Sequence, residues 1–123
     1  AKGTLIAMQR NPIDGDVETL ATACGRAVHD FSAWSEDLDD ALALLAALDD
    51  YIAVSNTNMH LLAGIGRTAR VLLHFPPDWR WHARDEESPF FPGFRLYRQA
   101  MDGSWQAALE RLRADLLARY GAF

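Results

Sequence analysis

The chain is poor in several features that would narrow its function at once. It has one cysteine, Cys24, among 123 residues. A disulfide framework and a cysteine-based metal site are both excluded. No apolar run reaches the roughly eighteen residues needed to cross a bilayer, and no signal peptide is visible. The expected compartment is therefore the cytoplasm, with no membrane span. Lysine is almost missing: eleven of the twelve basic residues are arginine. The net charge of −5 argues against a general nucleic-acid binder. There is no nucleophile elbow, no phosphate-binding P-loop and no His-Glu-x-x-His motif. The four histidines, His29, His60, His74 and His82, are dispersed. No repeat or low-complexity linker interrupts the chain. No catalytic residue, cofactor or metal site is expected from these patterns.

The remainder has the composition of an ordinary globular chain. Half the residues are hydrophobic and 24% are charged. The length suits one domain with a real core. Charge is unevenly spread. Residues 1–66 hold three basic and ten acidic side chains, whereas residues 67–123 hold nine and seven. Arginine is suited to bidentate phosphate contacts, and a GC-rich genome also favours it.

Periodicity and punctuation predict an alternating order. Thr4 to Met8 reads as a strand. Asp14-Gly15-Asp16 is a turn, and Val17 to Cys24 a helix with Val17, Leu20, Ala21 and Cys24 on one face, stopped by Gly25. Ala27 to Phe31 is a second strand ending near Asp30, an acid that suits either a turn or a ribose hydroxyl. Ser35 is the expected cap of the next helix. Glu36, Asp37, Asp39 and Asp40 crowd its first turn, where acids suit the dipole. Its stripe is Leu38, Ala41, Leu42, Leu45 and Leu48. Tyr51 to Val54 is a third strand, Met59 to Ile65 a helix ended by Gly66, and Ala69 to Phe75 a fourth strand. Residues 76–94 form a long loop carrying Trp79, Trp81, Phe90, Phe91 and Phe94, which must pack on the domain, a ligand or a partner. Arg95 to Gln99 is a fifth strand. Ser104 caps a last helix with Trp105, Ala108, Leu109, Leu112, Leu116 and Tyr120 on its apolar face.

Strand and helix alternating at this spacing imply right-handed crossovers and parallel pairing. The fold class is therefore α/β: a Rossmann-like three-layer arrangement, with a mainly parallel sheet of about five strands and helices on both faces. Ligands in such sheets bind beyond the carboxyl ends of the strands. Here those ends are Gln9, Asp30, Ser55 to Asn58, Phe75 to Asp78, and Gln99. The small polar run Ser55-Asn56-Thr57-Asn58 stands between a strand and a helix. It suits both an N-cap and an anion held by free backbone N–H groups. His60, in the first helical turn, suits either an anion contact or a hydrogen bond to a neighbouring loop.

Four segments in order carry a family resemblance: Leu5-Ile-Ala-Met-Gln9, Tyr51 to Gly66, Pro77-Asp-Trp-Arg-Trp81, and Ser88-Pro-Phe-Phe-Pro92 running on to Arg95-Leu-Tyr-Arg-Gln99. Over nearly the whole chain the sequence resembles the donor-binding half of heptosyltransferase-like enzymes, glycosyltransferase family nine, with the GT-B fold. It is most similar to the form found at the C-terminal end of tetratricopeptide-repeat proteins. The resemblance implies a nucleotide-diphospho-sugar donor. Asn56, Thr57 and Asn58 would offer N–H groups to the diphosphate, and His60 and Arg80 side-chain contacts. Gln9, Ser55 and Asp78 would lie at the same strand ends. Many family members carry Asp-Thr where this chain has Ser55-Asn56, while His60 keeps the family pattern. A family member's donor half would begin one strand and helix earlier, after an acceptor domain holding the catalytic base. The chain is thus expected to be inactive alone, with an acceptor domain or tetratricopeptide repeats of the same polypeptide as partner. The alternative is a non-catalytic module that kept the half-fold. With the family's central first strand missing, the strands around Ile6 and Ile52 are expected to pair directly, giving sheet order 2-1-3-4-5.

Overall fold

The computed structural model describes residues 3–82 and 84–121. The element order is β1 (Leu5–Ala7), α1 (Asp16–Cys24), β2 (Val28–Asp30), α2 (Leu38–Ala47), β3 (Ile52–Val54), α3 (Thr57–Gly64), β4 (Arg70–Leu73), β5 (Arg95–Arg98) and α4 (Gln106–Tyr120). Short 3₁₀ turns stand at Ser32–Glu36 and Trp79–Trp81. The alternation and the parallel pairing are those the sequence predicts. The single sheet of about five strands is not formed. The described strands make a two-stranded sheet, β1-β2, and a three-stranded sheet in the order β3-β4-β5. The expected ladder between the strands of Ile6 and Ile52 is absent from both. Hydrophobic strands found from local pattern do not specify their long-range partners, which is where that expectation failed.

The chain divides into two compact units, Ala1–Leu44 and Leu45–Phe123. In the first, β1 and β2 pair from Leu5–Val28 to Ala7–Asp30. Gly25 ends α1 in the left-handed region, φ 60°, where an L side chain would be strained. The expected apolar face of α1 is only half realised, since Val17 and Ala21 are half-buried and Leu20 and Cys24 exposed. Asp30 is a turn former: its carboxylate accepts from Ser32 N at 2.9 Å. Ser32 holds the Asp30 carboxyl below its usual range, through its hydroxyl first and its backbone N–H second, against a little burial. Ser35 does not cap α2. Asp37 does, its Oδ1 accepting from the backbone N–H of Asp39 and Asp40.

The second unit holds most of the buried apolar residues. Val71 and Leu73 of β4, Leu96 and Tyr97 of β5, and Met59 and Leu62 of α3 are all buried. Tyr97 packs with Ala108 and Leu112 of α4, flanked by Leu72, Trp105 and Leu116. Leu109, expected on the buried face of α4, is exposed. Ser104 Oγ accepts from Gln106 N at 3.3 Å, while Trp105 is the residue at the helix boundary.

Arg70, buried at the start of β4, ties these elements together. Its Nε donates to Asp50 at 2.8 Å and its Nη1 to the Tyr97 hydroxyl at 2.9 Å. Burial alone would lower the Arg70 pKa. The hydrogen bonds to Asp50 and Tyr97 outweigh it, so the guanidinium is held more firmly charged than usual. The Tyr97 hydroxyl in turn donates to Asp115 at 2.7 Å, and Arg95 lies 3.4 Å from the same carboxylate.

That hydroxyl, opposed by slight burial and helped by Arg95, Arg70 and Arg111, holds the Asp115 carboxyl below its usual range. The unfolded chain therefore takes up the proton at higher pH than the native one. Asp115 stabilises the fold fully above the unfolded carboxylate pKa, roughly 3.9, and this contribution is lost as the pH falls through the lowered native value. Urea unfolding from about pH 5 downwards is expected to lose stability less steeply in D115N than in the unaltered chain. Parallel acid limbs would show that the carboxylate is not engaged.

Candidate functional site

The sheet edge at the carboxyl ends of β3 and β4 gathers most of the residues singled out from sequence. β3 runs into Ser55 and Asn56, and α3 begins at Thr57, two residues earlier than the pattern suggested. Asn56 is extended, φ −155°, and its Oδ1 accepts from Asn58 N at 3.0 Å, so it is a true N-cap. The Asn58 side chain turns back and donates to the Tyr51 hydroxyl at 2.8 Å. Ser55 Oγ accepts from the indole N–H of Trp81 at 2.8 Å. The backbone N–H of Thr57 has no partner among the described residues, as is usual for the first turn of a helix.

The loop of residues 76–94 docks on this edge through three of its five aromatics. Trp81, Phe91 and Phe94 are buried. Trp81 stacks on Phe91 with centroids 4.5 Å apart and planes 17° from parallel. His60 meets the same Phe91 ring edge-on at 5.1 Å. Packing of Trp81 and Phe91 thus fixes where His60 and Ser55 stand. Trp79 and Phe90 stay exposed, at 64% and 52%, and contact each other edge to face at 5.1 Å. The split follows from the 3₁₀ turn, which sends Trp79 and Trp81 to different sides. Arg98, which sequence reasoning passed over, staples the loop. Its guanidinium donates to the carbonyls of Trp81, His82 and Asp85 at 2.5, 2.6 and 2.8 Å. Burial pushes the Arg98 pKa down against the attraction of Asp85. An arginine at the last position of a strand carries no local signal of such a role.

Asp78 starts the 3₁₀ turn, accepting from Arg80 N at 2.9 Å. Its other oxygen pairs with Arg80 Nη1 at 2.9 Å. That backbone bond, against slight burial and with help from the Arg80 guanidinium and His60, lowers the Asp78 pKa. The arginine's charge is therefore largely spent on its neighbour. Its guanidinium also lies 4.8 Å from the centroid of the Trp79 ring.

All the expected donor-site residues except Gln9 belong to the second unit. Gln9 belongs to the first, where its backbone N–H donates to Ser32 Oγ at 3.2 Å and its side chain to Asp16 at 3.4 Å. Within the second unit, Ser55 and His60 are joined through Trp81 and Phe91, and Asp78 feels the charge of His60. Chemically, the edge offers the Thr57 N–H at a helix start beside one histidine, the N–H groups of Asn58 and Met59 being taken by Asn56. Among the described residues it holds no nucleophile hydrogen-bonded to a base. No helix among the described residues is long and apolar enough to cross a membrane. No family model, no curated protein and no solved structure matches the chain.

Proposed function

We propose that the chain is the nucleotide-diphospho-sugar-binding half of a heptosyltransferase-like glycosyltransferase, inactive alone. The single observation that carries this reading is the start of α3. A strand delivers Ser55 and Asn56 to the start of a helix, where backbone dipoles favour an anion. His60 stands one turn further on, placed by its edge contact with Phe91. In this reading Asn56, Thr57 and Asn58 take the diphosphate through backbone N–H groups, that of Asn58 exchanging its bond to the Asn56 side chain for the ligand. His60 adds a side-chain donor, and Asp78 and Arg80 border the site.

A second reading is favoured by how the polar side chains are used. Ser55 serves Trp81, Asn56 caps α3, and Asn58 serves Tyr51. A module that kept the half-fold as a structural attachment to tetratricopeptide repeats would use them in this way.

Titration calorimetry with ADP, UDP and GDP, followed by amide NMR, separates the two. Donor binding gives saturable heat with shifts concentrated at Ser55 to His60. Absence of heat and of shifts there at millimolar nucleotide would sink the donor reading and leave the module.

A further inference from the structure

The opposite edge of the three-stranded sheet carries a second feature. Before β3, β4 and β5 begin, the chain lines a cavity of about 220 Å³. That is several times the roughly 30 Å³ share of one water. Four arginines, Arg67, Arg70, Arg95 and Arg119, face it against two carboxylates, Asp49 and Asp50.

The arginines are not equally available. Arg67 donates to the carbonyls of Ala46 and Leu48 at the end of α2. Arg70 is committed to Asp50 and Tyr97. Asp50 is committed as well, to Arg70 and to the Tyr120 hydroxyl at 3.0 Å. Arg95 and Arg119 remain. Arg95 is mostly exposed and has a single long contact, 3.4 Å, to Asp115. Arg119 uses Nε on the Tyr120 hydroxyl, and its two Nη groups have no partner among the described residues. The Thr68 hydroxyl, also at the wall, has none either. Gly93 keeps the wall open: it sits at φ +81°, and a Cβ there would lie 3.2 Å from Thr68 Cγ2.

We propose that this cavity is a binding site for a phosphate-class oxyanion, held by Arg95 and Arg119 with the Thr68 hydroxyl as a further donor. Two planar guanidinium forks with free N–H groups suit a tetrahedral oxyanion. Arg70 and Arg67 behind them keep the local charge positive after Asp49 and Asp50 are counted. The site lies at the amino ends of the strands, so it is independent of the donor reading at their carboxyl ends.

The test is amide and arginine Nε NMR during titration with inorganic phosphate at constant ionic strength, with chloride as control. Saturable shifts at Thr68, Gly93, Arg95 and Arg119 are expected. R119Q should weaken them about tenfold, the order of one charge-assisted contact. R119K, which keeps the charge without the fork, should retain part of the affinity. R113Q, also on α4 but outside the cavity, should bind as the unaltered chain does. Glycerol phosphate binding at least as tightly as phosphate would support an organic phosphate as ligand; phosphate alone would support the free ion. Non-saturating shifts, equal shifts with chloride, or shifts indifferent to R119Q would each overturn the site.

Discussion

Replacing Arg70 by methionine is expected to destabilise the second unit by about 3 kcal/mol in urea unfolding near neutral pH. The side chain is 4% exposed and holds Asp50 on one side and the Tyr97 hydroxyl on the other. Methionine fills much of the volume but donates nothing, so the loss falls on groups left behind. Full burial would put the cost at the top of the range for breaking a buried pair, about 3–5 kcal/mol. Asp50 and Asp115, at 21% and 31% exposure, keep some water and moderate it. R70K should recover only part, because an ammonium cannot serve Asp50 and Tyr97 with the fixed fork geometry of a guanidinium. A loss below about 1 kcal/mol in R70M, the level of an exposed ion pair, would mean the network is solvated.

Trp81→Ala should cost about as much or more, roughly 3–5 kcal/mol, as for other large-to-small changes of buried aromatics. Trp81 is 1% exposed, stacks on Phe91, approaches Phe94 at 6.4 Å and donates to Ser55. The same change removes the support of the His60 ring, since Phe91 is held between Trp81 and His60. Trp81→Phe separates the two contributions. It retains stacking and loses only the Ser55 hydrogen bond, at about 1 kcal/mol. Equal melting of the alanine variant and the unaltered chain would show that the aromatic loop does not dock on the β3 edge.

What was legible in the sequence was what local chemistry decides. The order of strands and helices followed from apolar runs and their punctuation. Gly25 and Gly66 adopt φ 60° and 70°, where glycine was expected to stop a helix. Asp102 and Gly103 turn the chain before α4, with Asp102 accepting from Ser104 N. Where two residues competed for one task, pattern could not choose. Ser35 and Asp37 both suit a cap, and the carboxylate that reaches two N–H groups prevailed. Trp79 and Trp81 are two residues apart and chemically alike, yet one is exposed and the other buried, because the backbone between them is a tight turn. Partners far apart in sequence were illegible. The pairing of β1 with β2 alone and of β3 with β4 depends on which edges meet in space. The uses of Arg67, Arg70 and Arg98 depend on carbonyls and carboxylates distant along the chain. For the carboxyl-edge site, the positions of Ser55 to His60 were legible, and the prior commitments of their side chains were not.

The bond from the Tyr120 hydroxyl to Asp50 spans 70 positions of chain. It bears on the order in which the second unit can form during synthesis. β3, β4 and β5 emerge from the ribosome before α4, so Arg70 can meet both Asp50 and Tyr97 before that helix is made. Asp115, which accepts from the Tyr97 hydroxyl, and Tyr120, which donates to Asp50, come later, with α4. Until then it is Asp50 and the Tyr97 hydroxyl that each lack one of their native partners. Loop closure itself adds little delay, since each doubling of loop length costs only about 0.6 kcal/mol. The last helix therefore closes the network of the second unit, joining the first residues of that unit to its last.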